Sequence, residues 1–331
     1  MAKEMVLDLK PGQSVTSFFA VRKKDVKEYG GKPFLALELG DRTGRIEAVI
    51  WEGFSESMAQ FDKQDVVKVQ GTVTTYREQA QISIKQIRKA KPAEYDAGDF
   101  LPESERDRTA MYESILEKIS GIENPYLKML LERCFCDEAT LARLMEAPGG
   151  KLWHHAYLGG LLEHTLGVTA LCECAAQLYP LADRDLLLSG ALLHDIGKTV
   201  EYEWSTFFDY SDEGRLQGHI VLGEQIVRRK MEAIEGFPRE LSMQLSHLLL
   251  SHQGRREFGS PVVPMMLEAI LLYYADELDS KAGAFCRVIK KEGAEGSKWS
   301  SWVHLIERFI YLGADADAHA GGCSLEETTT P

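Results

Sequence analysis

Alternating apolar and polar positions characterise the first part of the chain. Segments with this pattern, separated by Gly, Asp and Lys, predict five β-strands at 14–22, 33–40, 44–51, 65–76 and 80–88. The second and third segments are joined by the turn-forming sequence Asp41-Arg42-Thr43-Gly44, so these two strands are expected to form a hairpin. Five strands of this length indicate a small β-barrel.

Apolar spacing of three to four residues replaces the alternation after residue 110 and predicts an all-helical body. Residues 93–110 mix Pro, Gly, Asp and Glu without periodicity and are interpreted as a linker, and residues 313–331 as a disordered tail. The expected fold class is multidomain α+β, with a five-stranded barrel at 1–92 and a helical bundle at 111–312. The predicted helices cover 111–120, 125–136, 139–147, 160–178, 184–198, 219–234, 240–252 and 264–290.

Composition favours a cytoplasmic protein without a membrane partner. The N-terminus lacks a basic-then-apolar signal pattern, and the most apolar stretch, 265–275, contains Glu268 and is too short to cross a bilayer. Cys134/Cys136 and Cys172/Cys174 have neither zinc-knuckle spacing nor the arrangement of a secreted disulfide framework. We interpret the cysteines as buried thiols.

The net charge of −13 disfavours a nucleic-acid partner until its distribution is considered. Residues 1–92 contain 16 Lys+Arg against 12 Asp+Glu, a net charge of +4, which leaves 22 against 39, or −17, for the remainder. A mildly basic module joined to an acidic body is typical of a binding domain that serves an enzyme.

The sequence ALLHDIGKT places His194 and Asp195 side by side at the end of an apolar helix. Adjacent helical side chains diverge by roughly 100°, so the two cannot share one core face, although both could reach an ion beyond the helix end. An isolated pair would more simply be a helix terminus whose imidazole caps carbonyl groups. His164 and Asp276, however, also lie in apolar helical runs, where unpaired burial is costly.

The order of these four residues resembles the HD superfamily of metal-dependent phosphohydrolases. The resemblance implies a divalent ion bound by His164, His194, Asp195 and Asp276. Imidazole and carboxylate ligands together favour Mn²⁺, with Co²⁺, Fe²⁺, Mg²⁺ and Zn²⁺ left open.

Two further segments, GHIVLGEQIV and HLLLSHQGRREFGSPVVP, extend this match. The resemblance implies that His219 and His252 complete a second site, so that one or two ions bind. His247 lies five residues before His252, about 140° around a helix, and is interpreted as a core or supporting histidine. The related pattern often has His-His where this chain has His252-Gln253, which favours one ion over two.

The strand sequences FLALELGDRTGRIEAVIW and VVKVQGTVTTYREQAQISIKQI resemble an OB-fold. Together with WHHAYLGGLLEHT and the motifs above, they resemble the YhaM family over nearly the whole chain. Members of this family join an N-terminal OB-fold to an HD domain and degrade RNA from its 3′ end. The resemblance implies a metal-dependent 3′-5′ exonuclease that releases nucleoside monophosphates from single-stranded RNA, with single-stranded DNA and a homo-oligomeric state left open.

Two other functions remain compatible with these residues. A nucleotidase or cyclic-nucleotide phosphodiesterase could use the same HD scaffold, although a small substrate does not need a strand-binding barrel. A non-catalytic RNA-binding protein could use the barrel alone, and it would not release mononucleotides.

Three residues have predicted catalytic roles. Asp195 is expected to bridge the ions if two bind, and Lys198 to neutralise a phosphate oxygen, although a lysine there could merely favour the helix dipole. On one continuous helix His155 would lie opposite His164, and a break at Gly159-Gly160 could return it to the site, where it would contact phosphate. A histidine at an interhelix corner explains His155 equally well, and the role of His154 is left open.

On the barrel, Phe34, Trp51 and Tyr76 are predicted to lie on the face opposite the core, with Lys68 and Arg77 close in register. Aromatic stacking tolerates any base, which suits a weakly specific nuclease. Packing of one or more of these rings against the helical body is the competing interpretation.

Overall fold

Five strands close into a barrel in the N-terminal part of the chain, in the order β1-β2-β3-β5-β4. The computed structural model describes residues 4–76, 79–151, 154–293, 297–304 and 306–313. Neighbouring strands are antiparallel except β3 and β5, which are parallel. The elements of this part are β1 (Ser14–Tyr29), β2 (Lys32–Asp41), β3 (Gly44–Ile50), the short α1 (Phe54–Met58), β4 (Val66–Tyr76) and β5 (Gln79–Lys89).

The predicted hairpin between β2 and β3 is confirmed. Leu37 pairs with Ala48, and Asp41 pairs with Gly44 across the turn. The Asp41 carboxylate accepts a hydrogen bond from the Thr43 amide at 2.8 Å, which stabilises this tight connection. The alternate apolar side chains of both strands point into the barrel core with those of the other strands: Phe19, Leu35, Leu37, Leu39, Val67, Val69, Val73 and Ile82.

Strand β1 is longer than the sequence predicts. Residues 23–29 alternate too weakly in hydrophobicity to be recognised, because they form an exposed ribbon outside the core. They are nevertheless paired with β2, with Lys27 opposite Phe34 and Tyr29 opposite Lys32. The backbone pairing of β1 with β2 therefore continues into exposed residues, where the sequence does not alternate between apolar and polar side chains.

The chain between the barrel and the first long helix packs on the barrel. Phe100 is fully buried in a cluster with Ala20, Val66 and Ala90, and its ring contacts Tyr95 edge to face at 5.4 Å. The Arg42 amide also donates a hydrogen bond to the Asp99 carbonyl at 2.8 Å. Residues 92–101 thus close one side of the barrel core.

The expectation that only helices follow residue 110 is wrong for one segment. Strands β6 (Tyr202–Trp204) and β7 (Phe208–Tyr210) form a short antiparallel hairpin. Its alternate aromatic residues favour strands over a helix. The Thr206 hydroxyl at its turn donates to the Gln64 carbonyl at 2.8 Å, and the Arg22 guanidinium lies 5.9 Å from the Phe207 ring. Such tertiary contacts leave little trace in local periodicity.

The remaining elements are helices, and side-chain caps mark the starts of four of them. Asp107, Asn124, Asp137 and Asp183 each accept a hydrogen bond from a backbone amide of the first turn. The bounds are α2 (Arg108–Ser120), α3 (Pro125–Phe135), α4 (Glu138–Leu144), α5 (Gly160–Leu178), α6 (Arg184–Leu193), α7 (Lys198–Glu201), α8 (Asp212–Glu232), α9 (Arg239–Ser251) and α10 (Leu267–Glu292).

The chain divides into two compact units. Residues 1–105 form the first unit together with residues 200–216, which contain the β6-β7 hairpin, and residues 106–199 and 217–331 form the second. In the second unit α5 packs against α6 and α10, and α6 packs against α9.

No helix in the described ranges combines the length and apolar composition needed to cross a membrane. The predicted tail at 314–331 lies outside the described residues.

Replacement of Phe100 by Ala should destabilise the barrel unit. Removing a fully buried ring leaves a cavity and typically costs about 3–5 kcal/mol, whereas Phe100→Leu keeps most of the volume and should cost less than about 1.5 kcal/mol. Differential scanning calorimetry of both variants measures the effect. Equal transition temperatures for Phe100→Ala and the parent would show that residues 92–101 do not belong to the barrel core.

Candidate metal centre and nucleic-acid surface

Helix α6 ends at Leu193, and His194 and Asp195 occupy the turn that follows. Gly197 lies in this turn, and because it has no side chain another backbone segment can come close. A Cβ there would lie 2.0 Å from the His219 carbonyl oxygen and 2.5 Å from the Gly223 amide nitrogen. The absent side chain lets the backbone of α8 approach the turn. His219 is thereby brought close to Asp195.

The four residues of the predicted first site converge. The Nε2 atom of His164, from α5, lies 3.2 Å from Nε2 of His194, 3.3 Å from Oδ2 of Asp195 and 3.2 Å from Oδ1 of Asp276. His194 Nε2 lies 3.4 Å from the same Asp195 oxygen. Ligands about 2.1 Å from one ion are separated by roughly these distances, so the four atoms can surround a single cation.

A second group of atoms meets the other oxygen of Asp195. His219 Nε2 and His252 Nε2 lie 3.5 and 3.6 Å from Oδ1. A break at Gly218, with φ of +72°, separates the helix that begins at His219 from the preceding turns of α8, and His252 follows the end of α9. Asp195 thus presents one oxygen to each group, as a carboxylate bridging two ions would.

The imidazoles are oriented by bonds from their other nitrogen. Nδ1 of His194 contacts the Ala191 carbonyl at 2.8 Å, Nδ1 of His252 the Leu249 carbonyl at 2.7 Å, and Nδ1 of His164 the Asp279 carboxylate at 2.7 Å. Because a carbonyl or carboxylate only accepts, each Nδ1 carries the proton and each Nε2 is left as a lone-pair donor.

Buried atoms at the centre fit a metal ion. Within the described ranges, His252 Nε2 and Asp195 Oδ1 are buried without a hydrogen bond of normal geometry. Such atoms are expensive to bury unless something else satisfies them. Imidazole nitrogens and carboxylate oxygens are also the donors that divalent transition ions bind.

The electrostatics of the centre favour positive charge. Burial alone would lower the pKa of His164, but hydrogen bonds to Asp195, Asp276 and Asp279 raise it well above its usual value, so that in the metal-free centre Nε2 also holds a proton, which a bound cation would displace. Burial alone would raise the pKa of Asp195, yet the charge of Lys198 holds it well below its usual range. The carboxylates are therefore ionised, and the centre can compensate them with a cation.

Lys198 is buried beside Asp195. Its Nζ atom lies 2.6 Å from Asp195 Oδ2 and donates to the Gly149 carbonyl at 2.6 Å. The ammonium group is thus within the metal centre rather than on a solvated helix end. Its position is compatible with the predicted phosphate contact and excludes the interpretation as a surface lysine that merely favours the helix dipole.

The predicted break before α5 is present. Gly159 has φ of +77°, and a Cβ on Gly160 would lie 2.0 Å from the His155 carbonyl oxygen. The His155 ring comes within 5.5 Å of the His164 ring, measured between centroids. Both its ring nitrogens are engaged, since Nδ1 contacts the Tyr157 hydroxyl at 2.8 Å and Nε2 the Asp279 carboxylate at 3.0 Å. The predicted contact of His155 with phosphate would require one of these bonds to break.

Two other histidines lie near the site without belonging to the metal groups. The His154 ring stacks on that of His164 with centroids 5.3 Å apart, and burial together with the charge of Lys198 lowers its pKa to about 3. Nε2 of His247 accepts a hydrogen bond from the Met265 amide at 2.9 Å. His247 therefore supports a loop, in agreement with the prediction that it is not a ligand.

Asp279 is a site residue that the sequence did not reveal. It lies one helical turn after Asp276 on α10, and its Oδ2 atom contacts both His155 and His164. An acidic residue in YYADELDSK has several neighbours of the same type. The available signal was the i, i+3 spacing between Asp276 and Asp279, which places both carboxylates on the same side of the helix.

The predicted aromatic residues of the barrel are divided between two places. Phe34 and Trp51 stack with centroids 4.5 Å apart and planes at 28°, and Tyr29 approaches Trp51 edge to face at 6.3 Å. We call these three residues the aromatic patch; Trp51 and Tyr29 are 46% and 68% exposed. Tyr76 is exposed at the β4-β5 turn, opposite Gln79.

The expected register of Lys68 with these rings is wrong. Lys68 pairs with Phe18 of β1 and Arg88 of β5, and its ammonium lies 5.3 Å from the centroid of the Phe18 ring. It is eight residues from Tyr76, roughly 26 Å along a strand. The antiparallel pairing of β4 with β1 sets this position, and strand alternation alone cannot determine it. Arg77 lies outside the described residues.

Two known families match the chain, one over the barrel and one over much of the helical part. Residues 161–281 match the HD domain family. Residues 19–90 match the family described as an OB-fold nucleic acid binding domain.

Two curated relatives are similar over most of the chain. One is a protein of a Geobacillus species named 3′-5′ exoribonuclease YhaM, 34% identical over 79% of this chain and 80% of the relative. The other, of Bacillus subtilis and with the same name, is 33% identical over 88% of this chain and 92% of the relative. Because the identity exceeds 30% and both chains are covered over more than two thirds of their length, this protein belongs to the YhaM family.

Proposed function

We propose that the protein is a metal-dependent 3′-5′ exoribonuclease that removes nucleoside monophosphates from single-stranded RNA. The observation that carries this proposal is the position of Asp195, whose two oxygens each face a separate group of metal-binding nitrogens. Membership of the YhaM family and the OB-fold support RNA as the substrate.

The metal ligands follow from the two groups of atoms. His164, His194, Asp195 and Asp276 hold the first ion, and Asp195 with His219 and His252 holds the second. Mn²⁺ is the ion we propose, because mixed imidazole and carboxylate donors suit it. Bound there, a divalent ion acts as a Lewis acid on a phosphoryl oxygen and activates a water nucleophile.

The residues of the chain have separate tasks around this chemistry. Asp195 holds the two metal positions together. Lys198, 2.6 Å from Asp195, holds a positive charge at the edge of the centre, where it can neutralise a phosphate oxygen. The buried histidines keep their Nε2 atoms directed inward through the bonds made by Nδ1.

RNA affinity is proposed to reside on the barrel. The aromatic patch offers ring faces for stacking, and Tyr76 and Lys68 provide further contacts along the barrel surface. Arg77, which lies outside the described residues, stays a predicted contact. The net charge of +4 on residues 1–92 favours a polyanion, whereas the −17 of the remainder does not. Single-stranded DNA presents the same stacking faces and is proposed as a weaker alternative substrate. The five cysteines in the described ranges are unpaired, and Cys136, Cys174 and Cys286 are exposed, so the prediction of buried thiols is wrong for these three. Free thiols support a cytoplasmic location, and a homo-oligomeric state is compatible with this arrangement.

Asp195→Asn should abolish RNA degradation and reduce metal binding at both positions. The amide keeps the shape of the side chain but removes the charge and one acceptor oxygen. The loss of activity should exceed the roughly 100-fold effect typical of residues outside the ligand set. Release of mononucleotides from labelled single-stranded RNA with added Mn²⁺ measures it, with the exposed Asp212→Asn as control. Near-normal turnover by Asp195→Asn would refute the site.

His252→Ala should lower the bound Mn²⁺ from two ions to one per chain. His247→Ala is a matched control on the same helix, because His247 contacts a backbone amide instead of the metal groups. Elemental analysis of the purified variants gives the stoichiometry. A single ion in the parent protein would contradict a second site and would point to Gln253, where the related pattern often has histidine, as the cause.

Trp51→Ala should raise the apparent KM for a long single strand and leave cleavage of a dinucleotide unchanged. Loss of one stacked base costs about 1–3 kcal/mol, so KM should rise roughly 5- to 150-fold. Trp51→Phe retains a ring and should recover most of the affinity. Steady-state kinetics on both substrates separate binding from chemistry. If all three proteins have the same KM on long RNA, the aromatic patch does not bind substrate.

A further inference from the structure

Four side chains form a continuous hydrogen-bonded row that ends at the first metal position. The Tyr157 hydroxyl contacts His155 Nδ1 at 2.8 Å, His155 Nε2 contacts Asp279 Oδ2 at 3.0 Å, and the same oxygen contacts His164 Nδ1 at 2.7 Å. We propose that Asp279 is a positioning residue that fixes the tautomer and orientation of His164, and that His155 and Tyr157 hold Asp279 in place. This inference rests on the proposed metal centre.

The protons of this row can be assigned from chemistry. An ionised carboxylate only accepts hydrogen bonds, and Asp279 Oδ2 lies between His155 Nε2 and His164 Nδ1. His164 Nδ1 and His155 Nε2 therefore both carry hydrogens. With a cation bound, His164 Nε2 would offer its lone pair on the side of Asp195 and Asp276. The Tyr157 hydroxyl contacts the remaining nitrogen of His155, Nδ1.

The packing keeps space for this arrangement. A Cβ on Gly167 of α5 would lie 2.2 Å from Asp279 Oδ1, and a Cβ on Gly283 of α10 would lie 3.3 Å from His155 Nε2. His155 itself adopts a left-handed backbone conformation, with φ of +47°, which non-glycine residues adopt uncommonly. The missing side chain of Gly167 makes room for the Asp279 carboxylate, and that of Gly283 leaves room for the His155 ring.

The charged partner distinguishes His164 from two other ligands. His194 and His252 donate from Nδ1 to the neutral carbonyls of Ala191 and Leu249. A carboxylate makes an imidazole a more basic metal ligand than a carbonyl does. The first position should therefore owe part of its affinity to Asp279, whereas the second position, built from Asp195, His219 and His252, should not.

Asp279→Asn should weaken binding of Mn²⁺ at the first position about 10- to 100-fold and leave the second position unchanged. The amide keeps the size of the carboxylate but loses the negative charge. Calorimetric titration of the metal-free full-length protein with Mn²⁺ alone resolves the two affinities without RNA. RNA degradation by this variant should be low at limiting Mn²⁺ and recover at saturating Mn²⁺, which a misfolded site would not do.

Glu277→Gln is the matched control, because it removes the same charge from the same helix at a residue paired with Lys281. Gly167→Ala is a second route to the result, since its methyl group displaces the Asp279 carboxylate without changing any charge, and it should weaken the first site in the same direction. Tyr157→Phe, at the far end of the row, should have a smaller effect than Asp279→Asn.

Parental Mn²⁺ affinity in both Asp279→Asn and Gly167→Ala would overturn the role of Asp279 while leaving the metal centre intact. Equal weakening at both metal positions would also overturn it, because a general disturbance of the helices would then be the cause. Absence of Mn²⁺ binding by the parent protein would instead overturn the metal centre and this inference together.

Discussion

The structure of the metal centre depends on one fully buried carboxylate. Asp195 lies at the end of α6 among imidazoles, and its charge would be prohibitively expensive to bury without compensation. Lys198 supplies one positive charge at 2.6 Å, and the nitrogens directed at both oxygens define where further positive charge is accommodated. The neighbouring helices contribute to the centre by bringing imidazole nitrogens or charged side chains close to the Asp195 carboxylate.

Small residues make that convergence possible. Ligands from α5, α8, α9 and α10 can reach the turn after α6 only if backbones approach closely. Gly197 permits the contact with α8, and Gly160 permits the backbone of His155 to lie against the start of α5. At both positions a Cβ would lie 2.0 Å from a carbonyl oxygen, so even alanine would require the two backbone segments to move apart. The glycines of HDIGK and of the Gly159-Gly160 pair therefore have a structural reason beyond flexibility.

Local periodicity predicted the elements whose own side chains determine them. The bounds of α5 and the β2-β3 hairpin were predicted because apolar residues recur at the helix or strand period. The convergence of His164, His194, Asp195 and Asp276 was implied by the resemblance to the HD superfamily, and the local sign was that polar residues in apolar helices need partners. Local periodicity could not give the β6-β7 hairpin, the exposed ribbon of β1 or the strand partners of Lys68, since these depend on pairing between distant segments.

The positive charge of residues 1–92 and the negative charge of the remainder give these two parts of the chain different physical tasks. Stacking on the aromatic patch is insensitive to base identity, so binding there contributes similar free energy for each nucleotide register of a strand. An acidic body adds little attraction for the phosphate backbone outside its metal centre. Under the proposed function, a strand can therefore shift by one nucleotide without losing its main source of affinity. Such uniform binding is what successive removal of single nucleotides from one end requires.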